Sequence, residues 1–171
     1  QRDYAYHSTV HLEDLDAPAL IGREAGERAV SRVNPSRPKT GTYSIIYDPR
    51  VSSSLLGHLA SAINGASVAR GTSFLKEAMG TRILSAGLTV RDDPRRIRGA
   101  GSRPFDGEGC PATALDLISD GVLTTWLLDS RSARQLDLRS NGRASRGVSG
   151  PPSPSVTNLH LAPGDLSAVE L

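Results

Sequence analysis

Apolar residues recur at helical spacing in the first part of the chain and at strand spacing in the rest, and this change of period sets the fold class. Ile21, Ala25, Ala29 and Val33 recur every four residues behind Pro18, with Asp14 or Asp16 available as a cap. That spacing predicts an amphipathic helix ending by Asn34-Pro35. After a polar turn at 36–41, the aromatic and β-branched run at 43–47 predicts a strand, stopped by Asp48-Pro49. A second helix is predicted over 49–64. Its stripe is Val51, Leu55, Leu59 and Ala62, with Leu56 and Ile63 beside it, and Asn64-Gly65 is its stop. A shorter helix is predicted over 73–79, closed by Gly80. Beyond it come short strand-like runs at 88–90, 113–118 and 122–128, and Asp120-Gly121 between the last two is a hairpin signal. A helical turn is predicted at 130–136, an extended Gly/Ser/Arg/Pro loop at 140–155 and a final strand at 156–161. Helices first and strands afterwards predict an α+β fold, with N-terminal helices followed by a mainly antiparallel sheet with long loops.

Composition narrows the class without changing the fold. With 171 residues, 37% apolar and 22% charged, the chain has the length and balance of one soluble globular domain. No apolar stretch approaches the roughly 20 residues of a membrane-spanning helix, so no membrane is expected as a partner. The chain opens on Gln1 with neither a basic nor an apolar leader region, and it reads as a fragment of a longer protein. One cysteine, Cys110, cannot close an internal disulfide, which fits a reducing, cytoplasmic setting.

Charge adds little about partners. The net charge is +2, and Lys39 and Lys76 are the only lysines among 20 Lys and Arg residues, a bias that high-GC codon usage accounts for. The densest cationic cluster, Arg91, Arg95, Arg96, Arg98 and Arg103, is interleaved with Asp92, Asp93, Pro94 and Gly99 and reads as a solvated loop. One Trp, four Tyr and two Phe are too few for a base-stacking platform, so no specific nucleic acid is expected.

Particular words in the sequence go further than its periodicity. Tyr47-Asp48-Pro49-Arg50, Leu55-Leu56-Gly57-His58, Ala69-Arg70-Gly71-Thr72-Ser73-Phe74-Leu75, Arg91-Asp92-Asp93-Pro94, Arg103-Pro104-Phe105-Asp106-Gly107-Glu108-Gly109, Asp120-Gly121-Val122-Leu123 and Thr157-Asn158-Leu159 stand in the order of similar motifs in the TldD/PmbA family. The chain resembles the start and middle of that family's C-terminal domain. On this reading residues 1–16 are a linker from an N-terminal domain and 17–171 are part of the C-terminal domain. The TldD branch carries His-Glu-x-x-x-His on a helix after a Leu-Leu pair, where two histidines ligate zinc and the Glu serves as general base. Set on that motif, the chain has Gly57 at the first His, His58 at the Glu and Ala62 at the second His. Glycine and alanine have no side-chain donor, which is the pattern of the PmbA/TldE branch. No metal, cofactor or catalytic residue is therefore expected in this chain, and the resemblance implies zinc in a TldD-like partner subunit.

The remaining candidates are weaker. A lone His58 reads as a capped or solvent-facing imidazole. His7 and His11 have i, i+4 spacing but precede the helix in an extended segment. Asp106 and Glu108 either project to one side of an extended chain as metal ligands or a proton-relay pair, or belong to a Gly107/Gly109 turn and cap nearby amides. Arg70 and Asn158 are further family-motif candidates for contact with substrate. Asp92-Asp93-Pro94 is a second acidic pair. Gly71-Thr72-Ser73 reads as a helix cap rather than a phosphate cradle, and Cys110 beside two acids is a poor nucleophile.

Two functions follow. In one, the chain is the non-zinc subunit of a heteromeric metallopeptidase acting on unfolded or modified peptides, active only with its TldD-like partner. In the other, it is a regulatory protein acting on DNA gyrase or nucleic acid.

Overall fold

The structure, a computed structural model, describes residues 1–166. The chain divides into two compact units, Gln1–Ile45 and Ile46–Leu171.

In the first unit a single turn of 3-10 helix, Leu12–Asp14, precedes helix α1, Pro18–Ser31. Pro18 opens α1 as predicted, but the cap position is Ala17, with no side-chain cap bond from Asp14 or Asp16. Asp16 is taken instead by His7, 3.0 Å away. Ile21, Ala25 and Ala29 are half-buried, whereas Val33 is exposed beyond the helix end. The first residues are tied back to α1, Arg28 donating to the Tyr4 carbonyl and Arg32 lying 2.7 Å from Asp3. The strand predicted over 43–47 does not form: Tyr43, Ile45, Ile46 and Tyr47 are exposed, and no ladder among the described residues takes up their backbone.

The second unit holds the core. Helix α2, Pro49–Ala62, is capped by the Asp48 carboxylate, which accepts from the Arg50 N–H. Asn64 ends it and at once caps helix α3, Gly65–Ala69. At this corner the chain closes on a distant segment, Gly65 donating to the Leu127 carbonyl and Leu127 to the Ile63 carbonyl. A Cβ at position 65 would stand 2.6 Å from the Leu127 oxygen, so the approach requires glycine. Val51 and Leu55 are exposed, correcting the predicted stripe: the packed face is Leu56, Leu59, Ala62 and Ile63. The rotation follows from the anchoring of α2 at its C-terminal corner, which turns that face inward. The helix predicted over 73–79 is a series of turns. Ser73 nonetheless caps locally, accepting from the Leu75 N–H and donating to the Ala62 carbonyl at the end of α2.

Four strands form an antiparallel sheet in the order β3-β2-β1-β6: β1 Val90–Asp92, β2 Leu115–Ser119, β3 Val122–Leu123 and β6 Leu159–Leu161. The predicted hairpin is present. Asp120 and Gly121 have φ of +47° and +78°, the paired left-handed conformation of a type I′ turn. Strand β3 stops at Leu123, and the following run 124–128 leaves the sheet to meet the α2–α3 corner. Helix α4, Ser130–Gln135, opens with a capping box in which Asp129 accepts from the Ser132 N–H and the Ser132 hydroxyl accepts from the Asp129 N–H. The segment read as an unpaired loop carries a small second sheet, β4 Ala144–Ser145 against β5 Ser153–Pro154. Ile63, Val68, Val90, Leu117, Ile118, Leu123, Trp126 and Leu127 form the core between helices and sheet. Among the described residues no helix is long and apolar enough to cross a membrane.

Candidate functional site

Position in the pleat explains the first site feature. Val90 and Asp92 alternate with exposed Arg91 on β1, so Asp92 points inward with the core and needs partners. It has them. Arg143 Nε lies 2.5 Å from Asp92 Oδ2, and both side chains are fully buried. Thr157 donates its N–H to Oδ1 and its hydroxyl to Oδ2. The Arg143 guanidinium also donates to the carbonyls of Asn141, Gly142, Asp92 and Thr113. Burial pulls its pKa below the ordinary arginine value, opposed by Asp92 and reinforced by the nearby cation of Arg103. Nε and Nη2 of Arg103 are themselves buried without a hydrogen-bond partner.

Asn158 extends this arrangement. Its amide donates to the Asp93 carbonyl and the Ser102 hydroxyl and accepts from the Gly101 N–H. Thr157-Asn158 thus fastens the loop after β1 to the strand that closes the sheet. Two arginines of the predicted cationic cluster are engaged within the domain: Arg91 pairs with Asp116 at 2.6 Å, and Arg95 donates to the carbonyls of Ala112 and Pro104.

The Asp106 to Cys110 turn is built from its own acids. Asp106 Oδ1 accepts from the N–H groups of Glu108 and Cys110, and Oδ2 accepts from that of Ala144 in β4. Glu108 accepts from the Ser130 N–H at the start of α4. One ligand atom from each of Asp106, Glu108 and Cys110 lies within 4.8 Å of the others. The two carboxylates hold backbone amides in a turn and at a helix start, and their ligand atoms also converge with the Cys110 thiol.

Gly57 and His58 are exposed on α2, and Ala62 is buried at its C-terminal end. The residues present do not fit a zinc ion at the family's motif position, because Gly57 and Ala62 supply no donor and one imidazole remains. Arg70 lies elsewhere. With Arg131, Ser132 and Gln135 of α4 and the proline-rich segment 151–154 that ends in β5, it lines a groove of about 210 Å³. The structure thus separates the candidates into three places: Asp106 and Glu108 in the turn, Asn158 in the loop fastening, and Arg70 in the groove. Arg143, Asp129 and Arg131 were missed by sequence reasoning. The signal for Arg143 was the inward register of Asp92, a charge on a core face that demands a counter-charge.

The sequence matches the PmbA/TldA metallopeptidase C-terminal domain over residues 40–171. It is 41% identical to the metalloprotease PmbA of Escherichia coli O157:H7 over 84% of the chain and 32% of that protein, and 37% identical to a metalloprotease of Methanothermobacter thermautotrophicus over 93% of the chain and 34% of that protein. A solved structure from Thermotoga maritima, described as a proposed modulator of a DNA gyrase, superposes with a TM-score of 0.86 at 28% identity, covering 99% of the chain and 38% of its own. TldE from Thermococcus kodakarensis gives a TM-score of 0.60 at 25% identity over 64% of the chain and 25% of its own. An α+β domain of this topology, whose sequence matches the family domain over most of its length, belongs to the PmbA/TldD metallopeptidase family. Within that family its likeness is to the PmbA members. The chain spans about a third of the length of these relatives.

Proposed function

We propose that this chain is the non-zinc subunit of a TldD/TldE-type metallopeptidase of the cytoplasm, completing the chamber in which a zinc-bearing TldD-like subunit processes unfolded or modified peptides. The observation that carries the reading is the substitution of the zinc motif on α2: Gly57, His58 and Ala62 replace its two ligands and general base. Likeness to a TldE structure and to proteins named PmbA supports it. In this role the domain keeps the shape of the zinc helix while the hydrolytic chemistry belongs to its partner. Action on nucleic acid finds less support, since Arg91 and Arg95 of the cationic cluster are engaged by Asp116 and by backbone carbonyls.

Reconstitution of the full-length protein with its TldD-like counterpart tests the proposal. Hydrolysis of an unstructured peptide should require both subunits, elemental analysis should find well under one zinc per copy of this subunit, and His58→Ala should change turnover little. Hydrolysis by this subunit alone with stoichiometric zinc, or abolished turnover in His58→Ala with folding and pairing intact, would sink it.

A further inference from the structure

We propose that the groove between α3, α4 and β5 binds the terminal carboxylate of an extended peptide, with Arg131 and Arg70 as its anchors. The Arg131 side chain is exposed and makes no hydrogen bond or ion pair with any described residue. Arg70 makes one long contact, 3.3 Å to the Ser67 hydroxyl. Two guanidinium groups with this much unused donor capacity face one space, and planar two-point pairing with a carboxylate is the interaction they form best. The acidic residue lining the groove, Asp129, is 2% exposed and committed to the capping box of α4, so it does not neutralise the pair.

Shape and backbone chemistry narrow the ligand. At about 210 Å³ the groove falls below the roughly 300 Å³ of small-molecule pockets, room for one terminal residue rather than a whole cofactor. A phosphate is ordinarily cradled by converging backbone N–H groups. Here Pro151, Pro152 and Pro154 have none, and the Ser130 and Ser132 N–H groups of α4 are already held by Glu108 and Asp129. The prolines instead give a rigid extended wall, with the Gln135 amide and the Ser153 hydroxyl as neutral partners for a peptide lying along it.

The inference rests on the peptidase reading for its choice of a peptide, and its test is independent of hydrolysis. Binding of a fluorescent unstructured hexapeptide to the full-length protein, without partner or zinc, is compared for the free C-terminal acid and the C-terminal amide. Inorganic phosphate and acetate are the competitors. The acid should bind at least about tenfold more tightly than the amide, the worth of a charge-assisted hydrogen bond. Arg131→Gln should erase that difference with the melting temperature unchanged, and Arg70→Gln should reduce it. Equal affinity for acid and amide, no binding of either, an Arg131→Gln protein that still discriminates, or displacement by phosphate as effective as by acetate would each overturn the proposal. Acid-selective binding in a pair that hydrolyses nothing would remove the peptidase reading and leave the groove. Hydrolysis with unselective binding would remove the groove alone.

Discussion

Asp92 and Arg143 sit where neither charge can be left single. Removing one member of a buried pair strands the other without water or counter-ion, a loss of about 3–5 kcal/mol. Arg143→Met in the full-length protein should therefore lower unfolding stability by about that amount in a denaturant titration, whereas Arg91→Met, which breaks an exposed pair with Asp116, should lower it by less than about 1 kcal/mol. Equal losses would mean that the buried pair adds nothing to its setting. Asp120 and Asp116 both contribute a pH dependence. The Gly87 N–H, and then Arg82, hold the Asp120 carboxyl below the usual carboxylate range, and Arg91 does the same for Asp116. A folded-state pKa lower than the unfolded one gives stability that is complete above the unfolded value of about 4 and is lost as pH falls through the folded value. The melting temperature should accordingly drop below pH 4, and Asp120→Asn, which keeps the left-handed turn accessible, should flatten that drop. An unchanged slope in the variant would discount Asp120.

The face of α2 illustrates what an element's own sequence can and cannot reveal. Helical spacing located α2 to within two residues at its C-terminal end, and Asp48-Pro49 marked its start. Val51 and Leu55 satisfied the same periodicity as Leu59, yet the anchoring of Ile63 and Gly65 to Leu127, 62 residues further along at position 65, decides which side is buried. Such a long-range contact leaves no trace in local spacing. Ile63→Ala should thus destabilise by about 2–5 kcal/mol through a core cavity, while Leu55→Ala, on a side chain 49% exposed, should lose about 1 kcal/mol or less. Thermal melts of both variants decide between the inward and outward placements. The Asp120-Gly121 hairpin was legible because its turn chemistry is local. The run at 43–47 was misread because strand propensity without a pairing edge does not make a strand. Of the candidate site, the groove depends on bringing Arg70 beside Arg131, some 60 residues further along, and local spacing carries no sign of it.

For the whole molecule, a net charge of +2 and the engagement of Arg91 and Arg95 within the domain point to weak, non-specific contact with DNA. Duplex binding by the full-length protein should fall away between low and moderate salt, as counterion release loses its advantage. Sequence-selective binding that persists at moderate salt would instead favour the regulatory reading.

The fastening of Asp92 and Asp93 by Thr157 and Asn158 has a consequence for synthesis. Strand β1 emerges from the ribosome some 65 residues before the segment that covers its carboxylate and supplies its outer neighbour β6. Until that segment arrives, a nascent chain presents an open strand edge and a half-solvated ion pair. Folding of this unit is therefore a late, non-local event, slow by the loop closure it must await, and a chain stalled before Val156 would be a natural client for whatever shields unpaired edges during translation.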